Sequence, residues 1–203
     1  WDSALYYYNQ SLEYAMTDKN KGIEASALNN IGLIYWNKGE YDLAIEFYNR
    51  SLLLFEELQN QRGIANTLNN IGLILWEQDR LQDAISYHRL ALQKRLEMDD
   101  QYGIGASYSN IARIYDEMGS TDSAFYFAYK AIRNKTLIDD NYGLAITYNN
   151  LAGMYLDQDI RDSAYFYFIK SIEKYKMLGN LSRCAGSLYN LADFYMKEGD
   201  EKS

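Results

Sequence analysis

The sequence predicts an all-α chain, a one-directional array of about nine antiparallel helices, and three observations carry that expectation. Residues Ala44–Asp83, Ala84–Ser123, Ala124–Ser163 and Ala164–Ser203 align with one another without a gap, and Ala4–Leu43 makes a fifth copy. Gapless self-similarity at a 40-residue period means one supersecondary unit repeated and stacked. Within each copy apolar residues recur at the three- and four-residue spacing of a helix face, and no strand-like alternation competes. Residues 1–203 are therefore expected to form a single array.

Each copy contains two helical stretches. The first is exemplified by residues 60–77, with Ile64, Leu68, Ile71, Gly72 and Leu75 on one face. The second is exemplified by residues 81–98, with Leu81, Ala84, Ile85, His88, Ala91 and Leu92 on another. Asn20, Asn60, Asp100, Asp140 and Asn180 share one repeat column and read as N-caps of the first helix, where a side-chain oxygen accepts an orphan backbone N–H. Gly39, Asp79, Gly119, Asp159 and Gly199 share the column that closes that helix, because glycine and aspartate tolerate the left-handed conformation. Asp2, Asp42, Asp122 and Asp162 fall in the first turn of the second helix, where they complement its dipole. Small residues recur where two helices must approach closely: Gly32, Gly72, Ala112, Ala152 and Ala192 in one column, Ala4, Ala44, Ala84, Ala124 and Ala164 in another. The tyrosines at the apolar offsets are expected to be core residues.

These columns resemble the tetratricopeptide repeat (TPR) family. The second copy reads Leu28, Ile31-Gly32, Tyr35, Ala44, Tyr48 and Ser51, and the third Leu68, Ile71-Gly72, Leu75, Ala84, His88 and Ala91. The fourth has Tyr108, Ile111-Ala112, Tyr115, Ala124, Ala128 and Ala131; the fifth has Tyr148, Leu151-Ala152, Tyr155, Ala164, Phe168 and Ser171. A half copy ends with Leu188, Leu191-Ala192 and Tyr195. The period is 40 rather than the usual 34 or so, and the terminal proline is missing, as in the long-helix variety of the family. The resemblance implies a right-handed α-α superhelix whose first helices line a concave groove, and a noncatalytic module that binds a protein or peptide segment there.

Composition excludes several other functions. A net charge of −8 and the lack of any basic tract disfavour direct nucleic-acid binding. No apolar run approaches the roughly 18 residues of a membrane span, so this segment is expected to be soluble, in a cytoplasmic or periplasmic setting. His88 reads as a packed core imidazole rather than a base, and Cys184 as a small buried hydrophobe. The pairs Asp99-Asp100 and Asp139-Asp140 read as capping and solvation rather than a metal site. No phosphate loop or nucleophile motif occurs, so neither an enzyme nor a cofactor or metal is expected.

The binding signal lies on the first helices. With the core at Leu68, Ile71, Gly72 and Leu75, helical geometry turns Asn66, Asn69, Leu73 and Trp76 away from it. One copy earlier the same positions hold Ser26, Asn29, Leu33 and Trp36. Each tryptophan either anchors a ligand or packs against a neighbouring helix. Later copies are more polar: Ser109, Arg113 and Asp116, then Asn149, Gly153 and Leu156, then Tyr189, Asp193 and Met196. Arg113 is suited to a carboxylate. A neighbouring column holds Asn30, Asn70, Asn110, Asn150 and Asn190. Their amides either hold the backbone of an extended peptide, as the family resemblance suggests, or fix repeat geometry.

Both ends fall mid-repeat. A fragment of a longer protein is one expectation; a homodimer paired through exposed end helices is the other. The sequence style resembles the sensory or regulatory part of bacterial signalling proteins, and the alternative function is a scaffold or self-association module that uses its end faces and convex surface.

Overall fold

The computed structural model describes residues 1–200 and is all helical over them. Helices α1 (Asp2–Thr17), α2 (Lys21–Asn37), α3 (Tyr41–Glu57), α4 (Gln61–Glu77) and α5 (Leu81–Glu97) are followed by α6 (Gln101–Glu117), α7 (Thr121–Leu137), α8 (Asn141–Asp157), α9 (Arg161–Met177) and α10 (Leu181–Asp200). Ten helices are described, one more than the expected nine or so, because four complete pairs stand between a lone second helix, α1, and a lone first helix, α10. The chain divides into two compact units, Trp1–Asp100 with α1 to α5, and from Gln101 onward with α6 to α10. In the first unit α2 pairs with α3 and α4 with α5, while α1 packs on α2 and α3 on α4. In the second unit α6 pairs with α7 and α8 with α9, while α7 packs on α8 and α10 on α9.

All nine connections are built alike. The helix ends in a left-handed residue, and the next residue's N–H reaches back five positions, as in Asn20 to Ala15 O, Arg80 to Leu75 O and Asn180 to Tyr175 O. This pairing satisfies the carbonyls that a helix end leaves orphaned. The expected closures at Gly39, Asp79, Gly119 and Asp159 do have positive φ, whereas Gly199 falls within α10. A second left-handed column, Lys19, Gln59, Asp99, Asp139 and Gly179, closes the second helices. Lys19 and Gln59 occupy it without glycine's freedom, so the tertiary pairing of the flanking helices imposes the turn. The N-caps hold at Asn20, Asn60, Asp140 and Asn180, whose side chains accept from the N–H groups of Ile23, Gly63, Gly143 and Arg183.

Inside each pair the small columns bring the helices together. Ala44, Ala84, Ala124 and Ala164 are fully buried. A Cβ added to Gly32 would lie 2.9 Å from the Tyr48 ring, and one added to Gly72 would lie 3.1 Å from the His88 ring. Ala112 packs with Ala124 and Ala128, and Ala152 with Ala164 and Phe168. The tyrosines depart from the core expectation: among the described residues only Tyr48, Tyr148 and Tyr175 are buried. Many of the rest form stacks at the edge of a pair, such as Tyr35 on Phe47 with centroids 5.3 Å apart and Tyr155 on Tyr167 at 5.6 Å. There the rings cover one another, and the hydroxyls of Tyr155 and Tyr167 meet that of Tyr129.

Glycine substitutions separate packing from propensity. Gly153→Ala, with nothing within 4 Å of the new methyl, is expected to stabilise the chain by about 1 kcal/mol through helix propensity alone. Gly32→Ala is expected to destabilise it by about 1 kcal/mol, because overpacking against Tyr48 exceeds that gain. Urea titrations of both variants measure the two signs.

Candidate functional site

Two first helices, α2 and α4, touch within the first unit. Leu33 remains 39% exposed, and Trp36, Leu73 and Trp76 are half-buried at equivalent positions of the two helices. Trp36 is tethered as well: its Nε1–H donates to Glu77 Oε2 at 2.7 Å. The Tyr41 hydroxyl also donates to Glu77, and that hydrogen bond, reinforced by the carboxylate's charge, raises the phenol's pKa. Glu77 therefore holds one edge of the indole, and the wall presents a fixed ring rather than a free rotor.

The amides join neighbouring first helices. Asn29 Oδ1 accepts from Thr67 Oγ1 at 3.3 Å and from Asn70 Nδ2 at 3.5 Å. In the second unit Asn149 Oδ1 accepts from Asn190 Nδ2 at 3.2 Å. The 41-residue offset is the same in both, and in each the later copy donates and the earlier accepts. Asn70 also lies beside the buried Tyr48 hydroxyl, whose pKa is raised by burial against an opposing pull from that amide. Asn30, Asn69, Asn110 and Asn150 are half-buried on the same helices.

In the second unit Arg113 is exposed on α6, and its charge acts on Asp116 of the same helix. Burial raises the Asp116 pKa, with Asp157 and Glu117 adding to the shift and Arg113 opposing it. A depression of about 260 Å³ is lined by Asn149 of α8, Tyr175 of α9, and Arg183, Tyr189 and Asn190 of α10.

Lys135 was not among the sequence candidates. It sits on the second helix α7, only 5% exposed, and its Nζ reaches the first helices. It donates to Ser109 Oγ at 2.7 Å, Thr147 Oγ1 at 2.8 Å and the Gly143 carbonyl at 3.3 Å. Burial pushes its pKa down to about 8, opposed by the charge of Asp140. The legible signal was a charge in a column otherwise holding Ala15, Phe55 and Tyr175, together with the similarly buried Arg95.

His88 and Cys184 are buried, as expected of core residues. Neither ring nitrogen of His88 has a hydrogen-bond partner, and burial, assisted by the charge of Arg95, lowers its pKa from 6.5 to about 4. Among the described residues no group of three or more His, Cys, Asp or Glu is placed to hold a metal, and no helix is long and apolar enough to cross a membrane.

Helix hairpins of constant length, joined by identical turns and packed through small-residue columns, define an α-helical repeat protein. The tetratricopeptide repeat profile matches residues 23–97 and 63–136, together more than half of the chain, and the chain belongs to that family. No curated protein sequence matches significantly. Among solved structures, BtubC (BKLC) from P. vanneervenii superposes with a TM-score of 0.69 at 15% identity, over 98% of this chain and 92% of that one. MamA gives 0.61 at 23% identity, over 88% and 91%. A Rap protein complexed with Competence and Sporulation Factor gives 0.69 at 15% identity, over 97% of this chain but 59% of the Rap chain, so the chain spans about three-fifths of that protein's length. At these identities the likeness is one of fold.

The His88 shift has a definite sign. The folded pKa lies below the unfolded one, so the unfolded chain binds the proton first as pH falls. Stability is fully present above pH 6.5 and is lost between there and about pH 4, by up to about 3 kcal/mol. Urea titrations at pH 7 and 4.5 are expected to show this loss in the native chain and a smaller one in His88→Phe; equal losses in the two would contradict it.

Proposed function

We infer that the chain is a noncatalytic TPR module that binds a protein or peptide segment in the groove lined by its first helices. The observation that carries this reading is the repeated Leu-Trp pair of the first unit, Leu33 with Trp36 and Leu73 with Trp76. Exposed or half-exposed apolar side chains at matched positions of adjacent helices form an anchor surface, and tryptophan is enriched among residues that dominate binding energy. The indole held by Glu77 loses little freedom on binding, which favours affinity. The second unit offers polar groups instead: Arg113, Asn110, Asn150 and Asn149, the last of which lines the depression with Arg183. Such a face suits peptide backbone and charged termini. A Rap conjugation gene regulator of similar fold was solved in complex with the Phr* peptide, which supports a peptide as ligand class. A sensory or regulatory role within a larger signalling protein follows from that ligand class and from the sequence style.

Binding of a labelled peptide panel, read by fluorescence polarisation, tests the anchor. The double variant Trp36→Ala with Trp76→Ala is expected to weaken the best binder by at least about tenfold, since anchor tryptophans contribute on the order of 2 kcal/mol. Unchanged affinity in a variant with native circular dichroism defeats the reading and favours the scaffold alternative.

A further inference from the structure

Ser109 and Lys135 occupy columns that hold a serine and a lysine in this copy alone. Elsewhere the Lys135 column has Ala15, Phe55, Arg95 and Tyr175, and the Ser109 column has Asn29, Asn69, Asn149 and Tyr189. The two side chains come from different helices, α7 and α6, and Nζ lies 2.7 Å from Oγ. Ser109 is half-buried on a first helix, and Lys135 is buried behind it. Every group that Lys135 Nζ bonds is neutral: the hydroxyls of Ser109 and Thr147 and the Gly143 carbonyl. An amine taken out of water with no bonded carboxylate loses much of its preference for the charged form. The lowered pKa of about 8 expresses this, and Asp140 is the charged group that opposes the shift.

The bonding pattern suits the neutral amine as well as the ammonium. A neutral amine has two N–H donors and one lone pair, and a carbonyl oxygen can only accept. Thr147 Oγ1 donates its own hydrogen to the Gly143 carbonyl at 2.8 Å, so toward Lys135 it also only accepts. These two neighbours take the two N–H groups, and Ser109 is left to donate its O–H to the lone pair. A nucleophile, its base and a third group that orients the base are thereby assembled. The repeat adds an oxyanion donor. Asn29 Oδ1 meets both Thr67 and Asn70 of the next first helix. Ser109 Oγ meets Thr147 at 3.3 Å, and the same register sets Asn150 beside it, where an amide N–H can hold a developing oxyanion. We propose that Ser109 is a nucleophile, activated by Lys135, that takes an acyl group from an activated ester. Ser109 Oγ adds to the ester carbonyl carbon while its proton passes to Lys135 Nζ. The tetrahedral carbon then expels its alkoxide or phenoxide, which recovers that proton from Lys135. An Oγ–C bond forms and a C–O bond breaks, leaving an acylated Ser109 and an alcohol or phenol. This covalent reactivity belongs to one residue and is independent of what the Leu-Trp surface of the first unit binds.

p-Nitrophenyl acetate, followed by p-nitrophenolate release and by peptide mass spectrometry, tests this on the native chain. Ser109 is expected to gain an acetyl group at least about a hundredfold faster than the exposed Ser26 and Ser86, the acceleration that a positioned base supplies. The rate is expected to rise with pH and to level above about pH 8, where the neutral amine prevails. Lys135→Met removes the base and is expected to bring Ser109 down to the rate of the exposed serines. Lys135→Arg keeps a cation with donors but cannot take a proton, so it is expected to do the same. Circular dichroism checks that both variants fold; if either loses helicity, the acetyl map and pH profile of the native chain decide. Acetylation of Ser109 no faster than that of Ser26 and Ser86 overturns the proposal. So does an acetyl group on Lys135 in its place, a rate that climbs with pH without levelling, or full reactivity in a folded Lys135→Met chain. None of these readouts depends on Trp36 or Trp76, so failure here leaves the peptide-binding reading to its own test.

Discussion

The distance between the two helices of a pair governs everything built on them. Gly32 meets the Tyr48 ring and Gly72 the His88 ring so closely that an added methyl group would have to displace the ring. In the later copies Ala112 faces Ala128, and Ala152 faces Phe168. Each copy fills the space between its two helices with a different pair, and where both partners are small, at Ala112 and Ala128, Tyr115, Phe125 and Phe127 pack around them, because a packed interior resists both voids and overlap. Paired helices of equal length, together with nine connections of one design, are what let equivalent residues recur at equivalent places on successive first helices.

Regular stacking then determines how polar side chains can be used. The asparagines at 29 and 70, and at 149 and 190, bond to each other across neighbouring first helices. An amide has two donor hydrogens and an oxygen with two lone pairs, so one inter-helix bond orients the group without exhausting it. The alternatives of ligand contact and repeat geometry are therefore compatible at the same residue. The indole of Trp36 follows the same logic: its N–H is satisfied by Glu77 while its ring remains half-buried at the surface.

One column of the second helices mixes aromatic and cationic residues in both units. Phe55 closes the first unit with apolar contacts to Ile64 and Leu68. Lys135 fills the corresponding place in the second unit and is accommodated by two hydroxyls and a carbonyl rather than by a bonded carboxylate. A buried ammonium held by neutral acceptors keeps much of its desolvation penalty, and its lowered pKa expresses that. Each unit thus carries one buried cation in this column, Arg95 in the first and Lys135 in the second.

Much of this was legible in the 40-residue period. It disclosed the helix type, the small packing columns, the first-helix N-caps and one left-handed column, because these depend on local chemistry repeated in register. The exposed position of Leu33 also followed from helical geometry alone. Tertiary structure decided the rest. Lys19 and Gln59 adopt positive φ with no residue-type signal, because the packing of the flanking helices dictates the turn. Lys135 reaches Ser109 and Thr147 across 26 and 12 residues of sequence, and Trp36 finds Glu77 across 41. Periodicity assigns each residue to a face of its own helix, but only the packed neighbours determine which polar groups on different helices come within bonding distance.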